Sequence, residues 1–116
     1  MGIVTTIYAK NTIEGLHNWK NCPLEEVNYL KYPHRHQFII ESSKLVSHLD
    51  RDLEFFVLKH QIDNYFKERY YDDQYKLHVF NSMSCEMIAL ELLEHFNLVK
   101  CTVTEDGECG ATVQRI

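Results

Sequence analysis

The chain predicts an α+β fold in which a four-stranded antiparallel sheet carries two helices on one face, in the order strand, strand, helix, helix, strand, strand. Three observations predict it. Two runs rich in β-branched and aromatic residues, "IVTTIYA" (3–9) and "HRHQFIIESSKLV" (34–46), stand in the first half. Two stretches of helical period fill the middle, one from Leu53 to Arg69 and one opening after Ser84. Two short runs, "LVKCTVT" and "CGATVQRI", flank the tight-turn signal "EDGE" around Gly107.

Each element has a local reason. The first two strands are separated by "KNTIEGLHNWKNCPLEEVNYLKYP", too long for a hairpin turn; ordered excursions of that length are often functional. In the second strand "FII" marks the part expected in the core. "SHLDRD" supplies acidic residues suited to a helix N-terminus. Phe55, Leu58, Ile62, Tyr65 and Phe66 then fall on one helical face, with Lys59, Asp63, Lys67 and Glu68 largely off it. "YYDDQYKLHVFNSM" reads as a connection. Ser84 is a suitable N-cap for the second helix, with Glu86 in its first turn and Cys85, Ile88, Ala89, Leu92 and Phe96 as its apolar stripe. Asn97 is a suitable stop.

With 116 residues, residues 1–116 are expected to form a single domain with one core. The chain is 45% hydrophobic and 25% charged, with four Gly and two Pro, which is a globular rather than a disordered profile. A net charge of -5 with no basic block argues against phosphate-backbone binding, so no nucleic-acid partner is expected. No apolar run reaches membrane-span length and no export signal is visible, so no membrane partner and a cytoplasmic location are expected. The four cysteines are widely spaced with no C-x-x-C pair, and read as reduced thiols.

Strand alternation sends His34 and His36 to one face, followed by Phe38 and Ile40. An antiparallel pairing of the first two strands would bring His17 back towards His34, giving H-x16-H-x-H. Three imidazoles are a common zinc ligand count where one position stays open. From spacing alone, metal ligands and rim residues hydrogen-bonded to loop backbone account for the three histidines equally well. His48, His60, His78 and His95 show no partner pattern.

The segments "EGLHNW", "PHRH", "DLEFFVLK", "SMSCEMIA" and "VTEDGECGATV", in that order across nearly the whole chain, resemble those of the 6-pyruvoyl-tetrahydropterin synthase and 6-carboxytetrahydropterin synthase family. That family has the T-fold. The resemblance implies zinc held by His17, His34 and His36, with Arg35 replacing the family's Gly between the last two. It implies a substrate-binding role for Glu105, whose carboxylate would accept two hydrogen bonds from the N–H edge of a pterin or purine-like ring. Asp106 and Glu108 read as turn carboxylates in water. The resemblance further implies a homo-oligomer, with sheets of several subunits closed into a barrel and trimers paired into hexamers; the open edges of a four-stranded meander point the same way.

The family's proton-transfer groups are missing. Its Cys, four residues before the second His, corresponds to Leu30, and its Asp-His pair falls on "ERYYDDQY", which holds Asp72 and Asp73 but no adjacent His. Replacements available in the sequence are Cys22 as a metal-activated thiolate, Glu26 or its neighbour Glu25 as a carboxylate base, Asp72, and His78. "YLKY" and "HNWKN" could wall a flat heterocycle. Three functions remain: a zinc-dependent synthase or lyase acting on dihydroneopterin triphosphate or a near relative, towards tetrahydropterins or 7-deazaguanine precursors; a zinc-bearing binder of such a ligand without turnover; and an oligomeric interaction module whose histidines bind nothing.

Overall fold

A computed structural model describes residues 2–116. Its elements run β1 (Thr5–His17), a 3₁₀ segment (Glu25–Lys31), β2 (His34–Val46), α1 (Phe55–Tyr70), β3 (Tyr71–Asp72), β4 (Leu77–Asn81), α2 (Cys85–His95), β5 (Lys100–Glu105) and β6 (Cys109–Gln114). The strand order overturns the expected four-stranded antiparallel ββααββ sheet, and with it the T-fold class. The chain forms one mixed six-stranded sheet, β3-β4-β1-β2-β5-β6, with β4 parallel to β1.

The physical reason lies in β1, which continues past Ala9 to His17. Its buried positions beyond Ala9 are Asn11, Ile13, Gly15 and His17, so the period of two exists but only Ile13 shows it as hydrophobicity. The longer strand presents backbone at Gly15 and Leu16, and β4 pairs there with His78 and Val79. Within β4 the buried residues are Leu77 and Phe80, three apart, with a register shift between Leu16 and His17. So short a strand with no alternation is indistinguishable from a connection in sequence.

Asn11 explains a polar residue inside. Its side-chain N–H groups donate to the Lys59 carbonyl (2.9 Å) and to Asp63 Oδ1 (2.7 Å), tying β1 to α1. Gly15 is required by packing. A Cβ there would lie 2.6 Å from the Phe80 ring and 2.8 Å from that of Phe38. Gly15→Ala is therefore expected to destabilise by about 1–3 kcal/mol through overpacking. The urea midpoint should fall with an unchanged slope; an unchanged midpoint would mean the two rings move aside freely.

The helices cover one face of the sheet. α1 opens at Glu54, whose carboxylate accepts the Phe56 N–H (2.7 Å), and buries Leu58, Ile62 and Phe66, while Phe55 is largely exposed. α2 opens at Ser84, whose hydroxyl oxygen accepts the Met87 N–H (3.1 Å), and buries Cys85, Ile88, Ala89, Leu92 and Leu93. It ends where Asn97 turns left-handed (φ 52°) and the Leu98 N–H returns to the Leu93 carbonyl at 2.9 Å. Phe38, Ile40, Phe80 and Val103 complete the core from the sheet side. On the opposite face Tyr8 and Leu45 stay exposed, at 61% and 56%. No helix among the described residues is long and apolar enough to cross a membrane.

Candidate metal centre

The ladder that joins β1 and β2 places His17 directly opposite His34, and His36 opposite Gly15. Pleating puts all three imidazoles on the core-facing side, at the end of the ladder next to Phe38. Each ring has a partner for one nitrogen. His17 Nδ1 lies 2.9 Å from the Met83 carbonyl, His34 Nδ1 2.8 Å from the Tyr32 carbonyl, and His36 Nδ1 2.7 Å from Asp106 Oδ2.

All three partners are acceptors, so each Nδ1 carries the proton and each Nε2 presents a lone pair. The three Nε2 atoms are buried and have no hydrogen-bond partner. Orphaned buried polar atoms are costly, and three converging ones call for a shared occupant. One nitrogen from each ring lies within 4.8 Å of the others, so this group can hold a metal ion.

Glu105 and Asp106 approach from the β5–β6 turn. Asp106 (φ 58°) and Gly107 (φ 73°) both adopt the left-handed conformation, as an Asp-Gly hairpin turn requires. That turn lets Asp106 accept the Gln37 N–H (2.8 Å) with one oxygen and the His36 Nδ1–H with the other. Its carboxyl is held below the usual range, first by the Gln37 N–H and then by His36. Glu105 sets Oε2 3.1 Å from His17 Nε2 and Oε1 3.2 Å from His36 Nε2. The His17 contact lowers the Glu105 pKa against the opposing effect of burial. Burial pulls the His17 pKa down, but the Glu105 carboxylate and the Met83 carbonyl together outweigh it, and the pKa is raised.

The raised His17 pKa has two opposite consequences. In metal-stripped protein its stabilising contribution is complete below the ordinary histidine pKa and is lost as pH rises through the raised one. Metal needs the neutral ring, so affinity grows over that same rise. Thermal melts between about pH 6 and 8 should therefore show zinc-induced stabilisation increasing while the chelated protein loses His17's contribution. A zinc effect independent of pH in that window would contradict the assignment.

The centre borders a cavity of about 510 Å³, within the range of small-ligand sites. Its walls include Trp19, Leu30, Met83, Cys85, Glu86 and Glu105. None of the four candidate replacements for the family's proton-transfer groups lines it. The Cys22 thiol is buried against the Leu24 and Val27 carbonyls, at 3.7 and 3.8 Å, and borders a separate cavity. Glu26 is exposed on the 3₁₀ segment. Asp72 accepts the Gln74 and Tyr75 N–H groups and shapes the β3–β4 turn. His78 faces the Glu14 carbonyl at 3.1 Å and stacks on Phe80. Tyr29 and Tyr32 are exposed outside the cavity, whereas Trp19 is part of its wall.

Two residues belong to the site without a clear sequence signal. Asp106 is a solvent-exposed turn residue, as expected, and it also orients His36. Cys85, placed on an apolar stripe by its spacing, brings Sγ to 3.7 Å from Glu105 Oε2. An Asp-Gly turn at the end of the strand beside the H-x-H pair marks Asp106 only once the pairing of β2 with β5 is known. Arg35, between the two β2 histidines, points outward and pairs with Glu14 across the strands. Comparison of the chain with protein-family models and with curated protein sequences finds no match to either.

Proposed function

We propose that this chain is a zinc-dependent synthase or lyase related to the 6-pyruvoyl-tetrahydropterin and 6-carboxytetrahydropterin synthases, with dihydroneopterin triphosphate or a similar pterin or purine-like molecule as its substrate. The observation that carries the metal is the set of three buried Nε2 atoms at the edge of a ligand-sized cavity. The resemblance of the five ordered segments supplies the choice of zinc and of pterin chemistry. Zinc held by His17, His34 and His36 would polarise substrate oxygens and stabilise developing enolate-like charge. Trp19 and Met83 offer flat and soft surfaces to a heterocycle, and Glu86 and Glu105 are the carboxylates able to accept its N–H edge.

A second reading, a zinc-bearing binder without turnover, is favoured by one observation. Leu30 borders the cavity in place of the family's Cys, and the thiol that does reach the site, Cys85, has its pKa pushed up to about 12 by burial and by Glu105. A group so hard to ionise is a poor general base at neutral pH. Incubation with dihydroneopterin triphosphate followed by chromatography separates the two readings. A dephosphorylated pterin product supports the synthase. Substrate retained unchanged, but bound in one-to-one ratio, supports the binder. The same proposal includes a cytosolic homo-oligomer of trimers, supported by exposed Tyr8 and Leu45 on the face without helices. A monomer by light scattering would remove that part.

A further inference from the structure

We infer that Glu105 is itself a fourth metal ligand, so that the centre is closed at rest and an incoming ligand must displace this carboxylate. The inference rests on the metal reading above and deepens it. Its two oxygens each stand close to a different imidazole, at 3.1 Å from His17 Nε2 and 3.2 Å from His36 Nε2. A tetrahedral ion with bonds of about 2.0–2.1 Å sets its neighbouring ligand atoms roughly 3.3 Å apart. The carboxylate thus sits at ligand-edge distance from two of the three nitrogens.

These contacts are not aligned hydrogen bonds, since both Nε2 atoms remain without a partner. With the Nδ1 positions protonated, each contact sets a nitrogen lone pair against a carboxylate oxygen. Two electron-rich atoms at that distance repel unless a cation lies between them, a proton on His17 in the metal-free chain or a metal ion shared by both rings. Charge agrees. Asp106 at Nδ1 and Glu105 at Nε2 flank His36, and two carboxylates with three neutral imidazoles sum to the charge that one divalent ion cancels.

The placement is also held by the fold. Glu105 pairs with Phe38 in the β2–β5 ladder, and the Cys85 thiol lies 3.7 Å from Oε2, so the carboxylate is fixed by a strand and not by a free loop. Closed four-ligand sites are typical of structural zinc, and open ones of catalytic zinc. A carboxylate that closes the site and also borders the cavity makes ligand exchange the entry step to any chemistry here.

The test uses Glu105→Gln, with Asp106→Asn as the outer-shell control, and reads zinc affinity and the visible spectrum of the Co2+-loaded full chain. Loss of an outer-shell partner costs about 10–100-fold in affinity, so Asp106→Asn should fall in that range with an unchanged spectrum. Glu105→Gln should exceed about 100-fold and change the spectrum in shape and intensity, as loss of a ligand does. A Glu105→Gln effect no larger than the control's, with the wild-type spectrum kept, overturns the inference while leaving the three-histidine centre standing. Wild-type protein gives a second readout that needs no variant to fold. One equivalent of azide should leave its Co2+ spectrum unchanged, because the carboxylate must be displaced first, and a shift at that low level, as an open centre gives, also overturns the inference. Failure of the wild type to take up either metal removes the metal reading itself.

Discussion

His34→Ala is expected to reduce zinc in purified protein from one equivalent to less than a tenth. Structural zinc sites of four ligands bind with about 10–16 kcal/mol at neutral pH, so one ligand accounts for about 2.5–4 kcal/mol. That corresponds to roughly 60- to 800-fold in affinity. His34 is the suitable position because its ring is half-exposed and anchored by one contact, to the Tyr32 carbonyl, so its loss disturbs the fold least. His17, by contrast, is buried and tied to Met83 in the turn before α2.

The same removal has a thermal signature. Free zinc at 100 times its dissociation constant stabilises a folded protein by about 2.7 kcal/mol. For a domain near 100 residues each kcal/mol moves the melting temperature by about 4–8 °C. Chelation of the wild type should therefore lower the melting temperature by about 10–20 °C, and His34→Ala should start at the lower value and ignore chelator. Full zinc content in His34→Ala, or a wild-type melt indifferent to chelator, would sink the metal centre.

The site was more legible in the sequence than the sheet that holds it. H-x-H survives as a signal because a period of two is local, and the opposite partner His17 follows from antiparallel pairing alone. The sheet differs from its expected form where its chemistry departs from pattern. Asn11 faces inward for the sake of α1, and Gly15 for the sake of two aromatic rings, so β1 loses its apolar alternation beyond Ala9. Once β1 is cut short there, nothing is left for β4 to pair with, and "LHVFN" reads as a connection. Adjacent residues on a strand ordinarily face opposite ways, so Glu105 and Asp106 carry no sequence signal that they meet at one ring. The left-handed backbone at Asp106 breaks that rule and turns both carboxylates towards His36. The absence of the family's proton-transfer groups is legible from position alone, whereas which residues line the cavity is supplied only by tertiary structure.

Phe38 joins the hydrophobic core to the metal centre, and its truncation should affect both. The ring is wholly buried, packs edge-on against Phe80 at 5.2 Å, and lies 5.0 Å from the His17 ring and 5.9 Å from that of His36. It is also one of the two rings that exclude a side chain at position 15. Phe38→Ala is expected to cost about 3–5 kcal/mol, from lost burial together with the cavity left behind. That is a large part of the stability of a domain this size, so a low urea midpoint with partial unfolding at ambient temperature is the expected result. Metal affinity should fall as well, because two ligand rings lose the surface that fixes their orientation. Phe38→Leu fills most of the space and should lie between the two in both measurements. The two readouts need not move in proportion. If Phe38 acts only through the core, zinc-saturated Phe38→Ala should bind with wild-type affinity once folded. If it also orients the imidazoles, affinity should remain reduced under conditions where circular dichroism shows the chain fully folded, and Phe38→Leu should restore it. A stability loss under about 1 kcal/mol would show that neighbouring side chains fill the space, and that Phe38 is not the common support of core and metal centre.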